Sequence, residues 1–166
     1  MKIKIISGGQ SGVDAAALRV AKRLGMETGG AMPEGWLTED GPRPEYAELY
    51  GMTEAASPDD RTRTRINAEA GDMTLWLGPG ISAFYGPTKS ACEDFGKSFV
   101  LIRDLLPVSA FVQSGYISRR LTYRLLDVMI LNIAGSRESR EPGVGEKAEE
   151  FLLVFLDSLV KSWRLI

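Results

Sequence analysis

The chain opens on Lys2-Ile3-Lys4-Ile5-Ile6-Ser7, an alternating β-branched run that predicts a short strand. Gly8-Gly9-Gln10-Ser11-Gly12 follows. Val13, Ala16, Ala17, Val20, Ala21 and Leu24 then recur at i, i+3, i+4 and i+7, which predicts a helix over 13–24 closed by Gly25. Residues 27–58 are rich in Gly and Pro and predict only a weak strand over 28–32. Loops of that length inside a compact domain are usually functional or mobile. Residues 59–70 predict a helix capped by Ser57 with Pro58 at its first position. That helix is oddly polar, since Ile66 is its only large apolar residue. Further on, the pattern predicts a buried strand over 73–77, a loop carrying Gly78, Gly80 and Gly86, a helix over 87–96 and a strand over 99–102. A weaker strand over 108–112, a helix over 117–126, an apolar strand over 128–134 and a polar loop over 135–142 come next. The last helix, from 144 to about 163, places Val144, Ala148, Phe151, Leu152, Phe155, Leu156, Leu159, Val160 and Trp163 on one face. Leu153 and Val154 widen that stripe beyond what one sheet face needs, which predicts a subunit interface. Strands alternating with helices, with no repeat or linker, predict an α/β domain with a mostly parallel sheet.

Composition narrows the chemistry. A chain of 166 residues and 18.2 kDa is the size of one domain. With 44% hydrophobic and 25% charged residues it falls outside the disordered and low-complexity classes. No apolar run approaches a membrane span, and the first residues read as a strand, not as a signal peptide. Twenty basic against 22 acidic residues create no field that would mark a nucleic-acid binder. The chain has no histidine and a single cysteine, Cys92. Ser-His-Asp hydrolases, Cys-His proteases and His- or Cys-ligated zinc hydrolases are excluded within one chain. No intrachain disulfide can form, so a reducing cytoplasm is the expected compartment. Cys92 reads as a small buried hydrophobe within its helix.

In a parallel sheet, loops that leave strands and enter helices emerge together at the carboxyl edge, where ligands bind. Three loops meet that description: 7–14, 78–90 and 135–142. Exposed backbone N–H groups and helix dipoles make such places anion sites, and glycines let an anion approach the backbone. Each loop has a plainer reading. Gly8, Gly9 and Gly12 fit a tight turn as well as a cradle; Thr88 and Ser90 fit helix capping; Arg137 and Arg140, interleaved with Glu138 and Glu141, fit a solvated surface loop. Asp40 fits a turn. On the polar helix, Arg63 and Asn67 lie four apart, with Thr64 and Arg61 beside them. That spacing suits either a ligand carrying phosphate and a heteroaromatic edge, or a face open to water. Asp14 suits a helix cap or an acceptor for a base or ribose. Three loops converging on one edge favour a small anionic ligand.

Taken together, these motifs resemble a known family. Ser7-Gly8-Gly9-Gln10-Ser11-Gly12-Val13-Asp14 resembles the opening signature of the molybdenum (cofactor) carrier proteins, which normally carry Thr at the position of Ser11 and Arg at that of Ala15. Gly29-Gly30, Met32-Pro33, Glu39-Asp40-Gly41, Arg63-Thr64, Asn67 and Asp72 follow in the family's order. Leu131-Asn132-Ile133-Ala134-Gly135-Ser136-Arg137-Glu138-Ser139 looks like its second signature, with Ser136 replacing a usual Pro. The resemblance covers nearly the whole chain and implies a single Rossmann-like three-layer domain over 1–166. It also implies an oligomer, a dimer or tetramer, with a phosphate-bearing ligand over the carboxyl edge.

For these carriers the implied ligand is molybdenum cofactor, a pterin with a terminal phosphate and a dithiolene-held metal. The site would comprise Gly8, Gly9, Gln10, Ser11, Gly12, Asp14, Arg63, Asn67, Thr88, Ser90, Gly135 and Arg137. Of these, Gly8 to Gly12 with Thr88 and Ser90 would hold phosphate, while Arg63, Asn67 and Arg137 would meet the pterin, the phosphate or the oxo-metal end. The chain itself would supply no metal ligand, because the dithiolene holds the metal. A cytoplasmic store or carrier that hands its ligand to a molybdoenzyme needs no acid–base pair. Replacing Arg63 by Ala would then weaken retention and leave the fold unchanged. The alternative is a nucleotide sensor, or an enzyme like the cytokinin-activating phosphoribohydrolases of the wider superfamily. Those enzymes carry a catalytic Glu three residues after a Thr. Here Ala91 stands three after Thr88, and Glu93, two further on, is turned about 200° round the helix. Pro87, inside the corresponding Gly86-Pro87-Thr88 segment, removes one N–H from that loop.

Overall fold

The structure, a computed structural model, describes residues 3–105 and 128–163. The strand expected at 108–112 and the helix at 117–126 lie outside the described residues. Six strands form one sheet in the order β5-β2-β1-β8-β6-β7, every pair parallel. They are β1 (Lys4–Ile6), β2 (Glu27–Met32), β5 (Met52–Glu54), β6 (Met73–Leu77), β7 (Ser98–Ile102) and β8 (Ile130–Gly135). A two-stranded hairpin, β3 (Leu37–Thr38) with β4 (Gly41–Pro42), stands apart from it. The helices are α1 (Val13–Arg23), α2 (Tyr46–Tyr50), α3 (Asp60–Ala70), α4 (Tyr85–Asp94) and α5 (Val144–Trp163). This is the expected α/β, Rossmann-like architecture. Among the described residues no helix is long and apolar enough to cross a membrane.

The two faces of the sheet differ in chemistry, because strand side chains alternate between faces. Met73, Leu75 and Leu77 of β6, with Leu131 and Ile133 of β8, join Ile5, the apolar face of α1 and that of α5 in the main core. The opposite parity carries Thr74 and Trp76 on β6 and Asn132 on β8, all buried. That face is covered by α3 and α4, whose apolar cluster is small: Ala68, Ala91 and Cys92, flanked by Phe95 and Phe99. The polarity of α3 follows, since the layer beneath it is itself partly polar. Cys92 is buried, with its thiol 3.3 Å from Thr74 Oγ1, and burial raises its pKa. Leu153 and Val154, on the widened stripe of α5, are half-buried.

Several boundaries differ from expectation. α3 is capped by Asp59, whose Oδ1 accepts from the Arg61 N–H at 3.0 Å; Ser57 instead accepts from the Asp59 N–H, so Pro58 precedes the helix. α4 begins at Tyr85, without a side-chain cap, so Pro87 falls in its first turn. There the missing N–H is one that no helical carbonyl would have received. Residues 27–58, expected to be mostly loop, hold a full strand β2, the hairpin, α2 and the edge strand β5.

Candidate ligand-binding site

Strands β1, β6 and β8 end side by side, and the loops beyond them meet the first two turns of α3. Backbone crowding fixes this junction. A Cβ on Gly30 would lie 2.1 Å from the Ser7 carbonyl oxygen, and one on Gly135 would lie 2.4 Å from that of Leu77. A Cβ on Gly8 would lie 1.4 Å from Arg63 Nη1, so the guanidinium packs directly on the glycine backbone.

A chain of charges runs across the junction, buried at Arg63 and Asp14 and half-buried at Asp60 and Arg137. Arg63 Nη1 lies 3.1 Å from Asp14 Oδ2, and Arg63 Nε lies 3.1 Å from Asp60 Oδ1. Asp60 Oδ2 in turn meets Arg137 Nη2 at 2.5 Å, and the Arg137 guanidinium sits 4.3 Å from the centre of the Phe84 ring. Two cations and two carboxylates thus neutralise one another. Burial pushes the Asp14 carboxyl up, with Arg63 pulling against it. Asp60 is also partly desolvated, but Arg63 and Arg137 together hold it below its ordinary value.

Beside this network lies a recess lined by Gly8, Gln10, Asp14, Arg63, Asn67 and Thr88, together with Gly135 and Arg137. Eight of the twelve candidate residues therefore meet around one hollow. Their roles are more structural than their types suggested. Asn67 accepts from the Ala31 N–H at 2.8 Å and donates to the Ala31 carbonyl at 3.0 Å, tying α3 to the end of β2. Thr88 donates its hydroxyl to the Phe84 carbonyl at 2.8 Å. Arg63 is one of the tethers of the loops, so its removal is expected to cost stability as well as any ligand contact.

Gly9, Ser11 and Gly12 line a second cleft with Thr38, Asp40 and Glu138. The Val13 N–H at the start of α1 donates to the Ser136 carbonyl at 3.2 Å, and a Cβ on Gly12 would lie 2.5 Å from that oxygen. Gly12 thus serves close packing of the 135–142 loop on α1. The hairpin is fastened over this junction by Gln10, whose Nε2 donates to the Leu37 carbonyl at 3.1 Å and whose Oε1 accepts from the Glu39 N–H at 3.2 Å. Glu39 then accepts from the Ser11 hydroxyl and from both the hydroxyl and the N–H of Ser139, contacts that lower its pKa against a desolvation that would raise it. A carboxylate of the chain therefore takes up the Ser11 and Ser139 donors. Ser90 is exposed on α4 and lines neither hollow. The 135–142 loop is only partly a solvated surface: Ser139, Arg140 and Pro142 are exposed, but Arg137 points inward, and Glu138 accepts from the Gly143 N–H and, at 3.0 Å, from the Gly145 N–H, capping α5.

Five residues of the site escaped sequence reasoning: Asp60, Trp76, Phe84, Asn132 and Ala134. Trp76 looked like core because all five residues of β6 are buried. The available signal was parity, since Thr74, Trp76 and Asn132 share a face beneath a helix with hardly any apolar residues. Glu93 is exposed and paired with Lys89 at 2.5 Å, whereas Ala91 is buried. Among the described residues no group of His, Cys, Asp and Glu is placed to hold a metal.

A parallel α/β sheet carrying a charge-paired recess at its carboxyl edge defines a Rossmann-like α/β domain. Residues 5–156 match the circularly permutated YpsA SLOG family, and the chain belongs to it. It is also similar to a solved "putative molybdenum carrier protein" from Syntrophus aciditrophicus SB, with 34% identity and a TM-score of 0.78 over 93% of this chain and 95% of the other. No curated protein matches the chain.

Proposed function

We propose that this chain is a binding protein that holds molybdenum cofactor, a phosphate-bearing pterin, at the carboxyl edge of its sheet for storage or transfer. The observation that carries the reading is a built recess whose wall keeps unused hydrogen-bonding capacity. Trp76 Nε1 and Arg137 Nε are buried without partners, on residues that line it. A ligand rich in ring nitrogens and carbonyl oxygen fits those donors. The similarity to the Syntrophus protein supports the choice of ligand. The metal is cargo, held by the ligand's own dithiolene, and asks no ligand of the chain. On this reading Arg63 and Asp14 hold the loops in register. Phe84 forms a wall against a planar ring lying in the adjoining cleft of about 480 Å³. One edge of the ring is turned to the recess, which itself has room for about one water. The reading carries with it a cytoplasmic homo-oligomer and a molybdoenzyme as recipient.

The test is native mass spectrometry of protein purified from cells able to make molybdenum cofactor. A bound mass matching the molybdopterin, with or without metal, is expected. A nucleotide mass would overturn the reading in favour of a nucleotide sensor or a phosphoribohydrolase-like enzyme.

A further inference from the structure

Among the described residues three buried side-chain N or O atoms have no hydrogen-bond partner: Trp76 Nε1, Arg137 Nε and Glu141 Oε2. Such atoms are uncommon, and each needs a reason. All three belong to residues around one place. Trp76 and Arg137 line the recess with Phe84, and Glu141 lines an adjoining cleft of which Phe84 is also a wall. Gly78 follows Trp76 by two residues, and a Cβ there would lie 3.3 Å from Glu141 Oε2. The free carboxylate oxygen therefore hangs over the end of β6, the strand that carries the indole. Trp76 is 1% exposed, and its ring is fixed by edge-on contact with Tyr85 at 5.5 Å between centroids. Its N–H is thus a prepositioned donor, and Glu141 Oε2, on a half-buried side chain, is an acceptor in the adjoining cleft.

We propose that Trp76 and Glu141 read the hydrogen-bonding edge of the ligand's heterocycle, the indole donating to a ring nitrogen or carbonyl oxygen and the carboxylate accepting from ring and amino N–H groups. A carboxylate has room for two donors, and a 2-amino-4-oxo ring offers an N–H and an adjacent amino group together, whereas adenine offers only its amino group. The pair thus selects a 2-amino-4-oxo heterocycle over an adenine. The inference rests on the proposed function for its choice of pterin and adds the residues that discriminate.

The experiment titrates 6-hydroxymethylpterin and adenosine into wild type, Trp76→Phe and Glu141→Gln. Wild type is expected to prefer the pterin. Trp76→Phe, which keeps the ring and loses the donor, should weaken pterin binding by about three- to tenfold, the range for one neutral hydrogen bond. Glu141→Gln should weaken it by about tenfold or more while leaving adenosine binding unchanged. Independently of either variant's folding, the indole N–H resonance of Trp76 in nitrogen-15-labelled wild type should move downfield as pterin is added. Pterin binding with the same affinity in all three proteins, or with an unmoved Trp76 resonance, would overturn this inference and leave the carrier reading standing. Preference for adenosine, with Trp76 still required, would overturn both the pterin reading and the selectivity assigned to Glu141. Binding of neither heterocycle would overturn the inference outright.

Discussion

Replacing Arg63 by Met removes the guanidinium and keeps an unbranched side chain of similar length. The Arg63 and Asp14 side chains are 9% and 6% exposed, so water screens their attraction little. Breaking such a pair from one side leaves an uncompensated buried charge, which costs about 3–5 kcal/mol. Asp14 keeps only a long hydrogen bond from the Gln10 N–H, at 3.4 Å, and the more distant Arg137. It can also escape by taking up a proton, so the low end of that range, about 3 kcal/mol, applies. For a chain of this size that lowers Tm by about 6–12 °C. The pH dependence follows from the direction of the Asp14 shift. Its folded pKa is raised above the ordinary 3.8, and losing Arg63 raises it further. A raised carboxyl contributes stability below its unfolded pKa and loses it as pH rises through the folded value. The gap between Arg63→Met and wild type should therefore widen as pH rises and narrow as pH falls towards and below the ordinary 3.8. Adding Asp14→Asn should recover at least about 1 kcal/mol, since the stranded charge is gone. Urea titrations at pH 5 and pH 8 measure both effects. A loss below about 1 kcal/mol at pH 7, or a double variant no better than Arg63→Met, would refute the claim that the network holds the site together.

Two further outcomes follow from the loops. Glu138→Ala strips the first turn of α5 of the carboxylate that accepts from the Gly143 and Gly145 N–H groups. A loss of about 1–2 kcal/mol is expected by thermal melting, and a neutral result would reassign Glu138 to the surface. Glu39 and Asp60 have lowered pKa values, so their contributions exist above the ordinary 4.5 and 3.8 and vanish as pH falls through the folded values. Glu39→Gln should accordingly be less stable than wild type at pH 7, with the gap closing as pH falls below the ordinary 4.5 and through the folded value, in urea midpoints taken across that range. A gap that persists in acid would mean that the hairpin is held by something other than this carboxylate.

Long apolar strands were legible in the sequence because hydrophobic runs bounded by glycines have few other uses, as at 73–77 and 99–102. α1 was legible from its period, and its end from Gly25, which adopts a φ of 69°. The edge of the sheet was not. β5 has three residues, two of them exposed, so it carries no hydrophobic signal and exists because β2 supplies a partner. At the site, residue type could name Arg63, Asp14 and Arg137 but could not say that they face one another. Sequence separations of 49 and 77 residues are closed only by the topology. Glycine was ambiguous in the same way. Gly8 makes room for Arg63 and Gly12 for the Ser136 carbonyl, the close-packing use that the sequence offers beside an anion cradle.

The charge balance of the recess bears on how a carrier could work. Arg63 and Arg137 are already matched by Asp14 and Asp60, so the recess offers a phosphate no unpaired cation. An anion placed there would meet cations whose charge is already balanced, and breaking the buried Arg63–Asp14 pair from one side is costly. On the carrier reading, specificity then rests with the uncharged ring, through Trp76 and the Phe84 wall, while the anionic end of the ligand lies nearer the rim. Arg140 lines the outer cleft there beside Ser82. An anion held at a rim remains open to water and salt, which screen its attraction to the protein. A recipient with a stronger cationic pocket could take hold of that end first, while the ring is still seated. Ring recognition and anion release are thus assigned to different parts of the site, the division a protein needs if it is to select its ligand and still give it up.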